Sequence, residues 1–203
     1  MAKRSVATLD KWGRTRLSRS FYLRDFLHSE IAASYGLCNF PDDIDLAIAA
    51  GTALCENLLE PLQERFGRIA IRSAYRSAEV NALGNAKKHN CATNEANADG
   101  HIWDRRDSRG MGATACIVIP RFWDRFQQTG DWKRLAWWIH DNLPYSEMEF
   151  FQTYWAFNLN WHEVPVRKVA NWIEKPRILT EPGMHNHDGS HADEWRGIEA
   201  AFL

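Results

Sequence analysis

The sequence lacks the features that would assign it to a membrane, secreted or nucleic-acid-binding class. Its 203 residues contain no apolar run of about eighteen residues, as a membrane span requires, and its basic start has no signal-peptide core. Lys and Arg number 25 against 26 Asp and Glu, a balance that disfavours nucleic acid or an anionic membrane as the main partner. We therefore expect a protein that binds neither and that is cytoplasmic, or is released by a route other than a signal peptide.

Cysteine is also scarce, and its spacing excludes a disulfide framework. The four cysteines, Cys38, Cys55, Cys91 and Cys116, form no CxxC pair and are best interpreted as small buried apolar residues. A hydrophobic content of 45% is enough for one sizeable core. We divide the chain into a basic extension over 1–20, a folded domain over 21–175 and a polar, His-containing tail over 176–203.

Hydrophobic periodicity predicts an α+β domain with a mostly antiparallel, four-stranded sheet and flanking helices. Helices are predicted over 21–32, 42–66 with a break at Pro61, 121–128, 131–142 and 166–173. Strands are predicted over 68–72 and 114–119, and a hairpin over 146–151 and 155–162. The irregular stretch over 84–112 is long enough to suggest a functional loop.

The last predicted strand has one polar and one apolar face. Asn158, Asn160 and His162 alternate with apolar residues, and Glu147 and Glu149 of the neighbouring strand are expected on the same side. Such a cleft suits a metal-ligating His with a carboxylate as general base.

The segment from Ile71 to Asn81 joins a short strand to the start of a helix and places Arg76 in the turn. Its sequence, Ile-Arg-Ser-Ala-Tyr-Arg-Ser followed by Asn81, is similar to a strand that ends in Ser-Gly-Tyr-Arg-Ser in a known family. Gly112 to Ile117 resembles the second half of that family's Ser-x-His-x-x-Gly-x-Ala-x-Asp-Ile motif, and Asn160-Trp161-His162 resembles its closing strand. The family is that of the zinc D-alanyl-D-alanine carboxypeptidases and related peptidoglycan peptidases, which share the hedgehog/DD-peptidase fold.

The chain departs from the family pattern at three positions. Cys116 stands in place of the zinc-binding Asp, Arg109 in place of the first His, and Leu159 in place of the Glu that serves as base. Because a thiolate can also bind zinc, the resemblance implies a site made of His101, Cys116 and His162. His89 and Asp104 are the alternatives if His101 or Cys116 points elsewhere.

The resemblance also implies roles for the residues around the metal. Glu149, or Glu147 beside it, would act as base, and Arg76 would hold the substrate's charge. The expected substrate-binding residues are Arg76, Ser73, Tyr75, Trp103 and Asn160.

Three functions are compatible with this resemblance, a leading one and two alternatives. The first is a zinc-dependent hydrolase that cleaves an amide bond in a small peptide, such as a peptidoglycan stem. The alternative is a non-catalytic binding or structural module on the same fold, or a metal enzyme with a non-peptide substrate.

Overall fold

The centre of the computed structural model, which describes residues 5–198, is a six-stranded mixed sheet. Its strands are Ala70–Ser73 (β1), Gly112–Val118 (β2), Glu147–Phe150 (β3), Phe157–His162 (β4), Lys168–Asn171 (β5) and Ile178–Thr180 (β6). Their order is β1-β2-β4-β3-β5-β6, and only β3 and β5 pair in parallel. The α+β class is confirmed, but the sheet has six strands where about four were expected, and it is mixed because one of its five strand pairings is parallel.

The helices of the described residues are short and surround this sheet. They are Val6–Gly13 (α1), Glu30–Tyr35 (α2), Ile44–Leu54 (α3), Glu60–Phe66 (α4), Ala78–Ala86 (α5), Pro120–Thr129 (α6), Lys133–Asn142 (α7) and Ala192–Trp195 (α8). None of them is long and apolar enough to cross a membrane.

Strand β5 lies where the spacing of apolar residues predicted a helix over 166–173. Val169 and Asn171 are buried while Lys168 and Ala170 are half-buried, which is the alternation of a strand. The backbone of β5 pairs with β3 and satisfies donors and acceptors that an edge strand would leave open. Pairing with the sheet therefore prevails over a weak local helix pattern.

The helix predicted over 42–66 is interrupted near Pro61, as expected. The interruption is a π-helical turn over Cys55–Leu59, which joins α3 to α4 and ends two residues before Pro61, a residue that has no N–H to donate to the preceding turn. The helix predicted over 21–32 is interrupted as well. Ser29 accepts a hydrogen bond from the backbone N–H of Ala32 and so caps α2 as a separate helix.

Both chain ends of the described residues pack on the domain. In the stretch expected as a basic extension, Leu17 is buried in the core and Ser18 donates to Glu60 at 2.8 Å. In the expected tail, His191 Nδ1 lies 2.7 Å from Asp141 on α7. Residues 1–4 and 199–203 lie outside the described part of the chain.

The sheet has one apolar and one polar face, as the alternation in the sequence predicts. Ala113, Ala115 and Ile117 of β2 join Phe157 and Leu159 of β4 in the core, on the side that contacts α3. The residues between them face the other way. Several of the side chains that the sequence predicts as site residues lie on this polar face.

Candidate ligand-binding cavity

A cavity of about 1230 Å³ opens on the polar face of the sheet, beside α2 and the segment that follows α5. Six of the residues expected in a site line it: Ser73, Tyr75, Arg76, His101, Cys116 and Glu149. Asn158, Trp172, Arg72 and Cys91 are among its other walls. The cavity therefore combines guanidinium, imidazole, thiol, carboxylate and amide groups.

The pairing of three strands explains why these side chains meet. Cys116 of β2 lies opposite Asn158 of β4, and Asn158 lies opposite Glu149 of β3. Directly paired residues of antiparallel strands point to the same face of a sheet. One row of side chains across the sheet thus forms the floor of the cavity.

Arg76 is held at the wall of the cavity by both its backbone and its side chain. Its backbone N–H donates to the carbonyl oxygen of His101 at 2.8 Å. Its Nη1 donates to Asn81 Oδ1 at 3.3 Å and lies 2.8 Å from Cys91 Sγ. Ser77, the next residue, caps α5 through the N–H of Val80, so the turn that carries Arg76 is fixed on both sides.

His101 is buried, and its hydrogen bonds define its tautomer. Its Nδ1 lies 2.6 Å from the carbonyl oxygen of Ala74, and a carbonyl only accepts, so Nδ1 carries the proton. Nε2 keeps its lone pair on the side where the ring meets Asn158. Burial, followed by the charge of Arg76, lowers the pKa of His101 to about 3, so the ring is neutral at pH 7.

Cys116 is also neutral at pH 7. Burial raises the pKa of its thiol to about 11, against the opposing effect of the positive charges on Arg72 and Arg76. A thiol in this state is a poor nucleophile.

Glu149 faces the cavity, but both of its oxygens already accept hydrogen bonds. Oε1 accepts from the indole N–H of Trp172 at 2.6 Å, and Oε2 accepts from the amide of Asn158 at 3.2 Å. The carboxylate therefore positions these two side chains.

His162 does not join His101 and Cys116. The register of the sheet pairs it with Gly112, four positions along β2 from Cys116. At about 3.4 Å per residue, four positions separate the two sites by roughly 14 Å. His162 and Asn158 lie on the same face of β4, but they lie near opposite ends of the strand.

His162 belongs instead to a cluster with Asp99 and Asp107. It is the group of three in residues 5–198 whose ligand atoms lie within 4.8 Å of one another, as metal ligands do. His162 Nε2 lies 3.2 Å from Asp107 Oδ1 and 3.7 Å from Asp99 Oδ2. Arg109 lies against both carboxylates, at 3.0 Å from Asp99 and 2.9 Å from Asp107.

Arg109 supplies the positive charge of this cluster, and the side chains pair with one another without a metal ion. The N–H of Val164 donates to His162 Nδ1 at 2.9 Å, so in the neutral ring Nε2 must carry the proton. A protonated Nε2 donates to Asp107 and has no lone pair for a metal. Burial opposes ionisation of Asp107, but the backbone N–H groups of Arg109 and Gly110 and the Arg109 side chain prevail and lower its pKa to about 2.

The expected zinc site therefore does not fit the residues present. His101 and Cys116 face the cavity, but the third expected donor, His162, is remote and has the wrong tautomer at Nε2. Of the two alternatives, His89 also lines the cavity but is exposed, with Nε2 3.2 Å from the Tyr35 hydroxyl. Asp104 is not among the residues that line it and accepts from the backbone N–H of Asp42 at 2.7 Å.

Among the expected substrate-binding residues, Trp103 has a structural position, whereas Tyr75 is buried but reaches the cavity wall and Asn160 is buried but lines an adjoining cavity of about 610 Å³. Trp103 is fully buried in the core, where its indole N–H donates to the carbonyl oxygen of Thr114 at 3.1 Å. Asn160 is buried, and its amide donates to the carbonyl oxygen of Asp99 at 3.1 Å.

The sequence did not single out Asn158, Cys91 or Trp172 as site residues. The alternation of the last strand placed Asn158 on the polar face, but the residue opposite Cys116 depends on the register. Trp172 lay in a predicted helix, and no sequence signal placed it beside Glu149.

Comparison with known proteins gives no match: no family model, no curated protein and no solved structure resembles the chain at a significant level.

Proposed function

We propose that the chain is a non-catalytic binding module whose cavity takes the carboxylate of a small ligand, such as a peptide of the peptidoglycan stem. The observation that carries this proposal is the pair Arg72 and Arg76. Both guanidinium groups line the cavity, and within residues 5–198 neither has a carboxylate within 4.0 Å. A guanidinium presents a planar fork of donors that matches a carboxylate.

Arg76 is the better anchor of the two because it is already ordered. Its bonds to Asn81 and Cys91 use Nη1, which leaves Nε and Nη2 for a ligand. Arg72 is exposed and stands 5.3 Å from the centre of the Tyr154 ring. Binding to a fixed guanidinium loses less side-chain entropy than binding to a free one.

The state of the other groups argues against catalysis in the same cavity. His101 and Cys116 are both neutral at pH 7, so neither an imidazolium nor a thiolate is at hand. Glu149 is engaged with Trp172 and Asn158, and Leu159 lies in the core. No nucleophile is paired with a base among these residues.

A zinc-dependent hydrolase is the second candidate, and one observation favours it. The Nδ1–H of His101 is donated to a carbonyl, which is the arrangement that prepares Nε2 for a metal, and Cys116 lines the same cavity. One zinc per purified chain, lost in both His101→Ala and Cys116→Ser, supports this candidate. Zinc that survives both changes excludes it.

The binding proposal is tested by calorimetric titration with the dipeptide L-alanyl-D-glutamate. Arg76→Gln should weaken binding by about 10-fold to 100-fold, since it removes a charge-assisted hydrogen bond worth roughly 1.5–3 kcal/mol. Arg68→Gln is the matched control, because Arg68 is exposed just before β1 and does not line the cavity. Equal affinity of wild type and Arg76→Gln contradicts the proposal.

A further inference from the structure

Arg72 is the second guanidinium of the cavity, and an aromatic ring holds it in place. Its Cζ lies 5.3 Å from the centre of the Tyr154 ring, in the connection between β3 and β4. Its backbone lies at the bulge in β1, where the register with β2 shifts between Ile71 and Ser73. A guanidinium that rests on an aromatic face is attracted to it and has fewer conformations than one that is free in water.

The turn that carries Tyr154 is strained. Tyr154 and Trp155 both have left-handed backbones, with φ of 57° and 49°. A bulky residue rarely adopts this conformation, and such strain is concentrated at functional sites. Packing of Trp155 on Phe126 offsets the cost at that residue, whereas Tyr154 is 54% exposed. The strained backbone therefore holds the Tyr154 ring beside Arg72 and not in the core.

The backbones that carry Arg72 and Arg76 are anchored at separate points along β2. Arg72 follows the residue of β1 that pairs with Ile117. Arg76 donates to His101, and the residue before His101 accepts from the backbone N–H of Thr114 at 3.0 Å. Ile117 and Thr114 are three positions apart, which is roughly 10 Å along the strand. The two guanidinium groups are thus held at different places in the wall of one cavity.

The wall between the two guanidinium groups carries the thiol of Cys116, which is uncharged. Burial raises the pKa of Cys116 to about 11, and among the charges around it those of Arg72 and Arg76 act most strongly and lower it. Both guanidinium groups are therefore near this thiol. Of the carboxylates that line the cavity, Glu149 acts on the thiol less strongly, and Glu30 is exposed on α2.

We infer that the ligand is a dicarboxylate with an uncharged linker, whose first carboxylate binds Arg76 and whose second binds Arg72. This inference rests on the proposed function, which supplies the first of the two carboxylates. Each guanidinium offers a planar pair of donors that matches a carboxylate. A single compact anion is matched less well, because the two arginines are anchored at separate points of the sheet. The cavity should therefore select the length of the linker.

The test is a series of calorimetric titrations with linear α,ω-dicarboxylates of increasing chain length and with the monoamide of each. A diacid has two carboxylates that can occupy Arg76, so its affinity exceeds that of the monoamide by about twofold on statistical grounds alone. For wild type, the ratio should rise to about fivefold or more at one chain length, because an exposed second ion pair adds to the first.

Two variants with the same change of charge show whether Arg72 is responsible. Arg72→Gln should lower the ratio of diacid to monoamide affinity to about twofold at every chain length, whatever its affinity for the monoamide. Arg68→Gln removes a charge that is exposed just before β1 and does not line the cavity, so it should keep the wild-type ratio.

A third variant tests the part played by the ring. Asn adopts the left-handed conformation more readily than Tyr, so Tyr154→Asn removes the ring and relieves the strain. This variant should lower the ratio at the preferred chain length without lowering the midpoint of urea denaturation. A ratio equal to that of wild type would contradict the part assigned to Tyr154.

A wild-type ratio near the statistical value at every chain length overturns the inference, as does a raised ratio that survives in Arg72→Gln. The proposed function fails in a different way. Monoamides that bind wild type and Arg76→Gln equally contradict the carboxylate anchor itself. Monoamides that bind through Arg76, with no gain from a second carboxylate, contradict the dicarboxylate alone.

Discussion

From the hydrogen bonds of the cluster around Asp107, we predict that the free energy of unfolding depends on pH and does not depend on a bound metal. The pKa of Asp107 falls from an ordinary 3.8 to about 2, because the backbone N–H groups of Arg109 and Gly110 and the Arg109 side chain stabilise its ionised form against the cost of burial. At about 1.4 kcal/mol for each pKa unit, the ionised carboxylate stabilises the fold by about 2 kcal/mol at pH 7. A lowered pKa means that this stability is complete above pH 4 and is lost as the pH falls towards 2.

Asp107→Asn should therefore lower the free energy of unfolding by about 2 kcal/mol at pH 7. The amide keeps an oxygen for the turn but replaces the charge and turns an N–H towards Arg109. Urea denaturation at pH 7, 5 and 3, followed by tryptophan fluorescence, measures the difference between wild type and variant. The difference should be equal at pH 7 and 5 and clearly smaller at pH 3.

Asp124→Asn is the control, because Asp124 is an exposed carboxylate in α6. Its effect should stay within about 0.5 kcal/mol at each pH. A difference for Asp107→Asn that is near zero at pH 7, or that does not shrink at pH 3, refutes the reasoning. A loss of wild-type stability on addition of EDTA, absent in Asp107→Asn, would show that the cluster holds a metal in place of its internal ion pairs.

Three further predictions concern packing, thiols and the carboxyl-terminal segment. Gly51→Ala should cost about 1–3 kcal/mol in urea denaturation, because its new Cβ would lie 2.9 Å from the Trp103 ring; unchanged stability contradicts the packing. Ellman's reagent at pH 7 should modify Cys38, which is exposed, far faster than Cys116, which is buried with a raised pKa; a fast phase that persists in Cys38→Ser and disappears when Cys116 is also changed to Ser contradicts this order. Asp141→Asn should speed proteolysis after residue 180, because Asp141 binds the segment that carries α8; an unchanged cleavage rate would show that this contact does not hold the segment.

Local sequence patterns predicted much of the fold. The alternation over Asn158, Asn160 and His162 correctly indicated one polar face, because a strand whose other face is buried must alternate. The α+β class and the strand, turn and helix around Arg76 follow from equally local signals. These features depend only on neighbouring residues.

Features that depend on register or distant contacts could not be predicted in this way. His162 and Asn158 share a face and differ only by four positions along β4, and the pairing with β2 decides which of them meets Cys116. Trp103 lies in an irregular segment, which suggested a ligand contact, yet its ring fills space beside Gly51 that only the folded chain creates.

The central claim is that Arg76 binds a carboxylate in a cavity that needs no metal. The most direct test is calorimetric titration of chelator-treated protein with L-alanyl-D-glutamate and with its diamide, each with and without one equivalent of zinc. We predict that the acid binds at least tenfold tighter than the diamide, and that zinc changes neither affinity. Binding that requires zinc, or equal affinity for the acid and the diamide, would contradict the account.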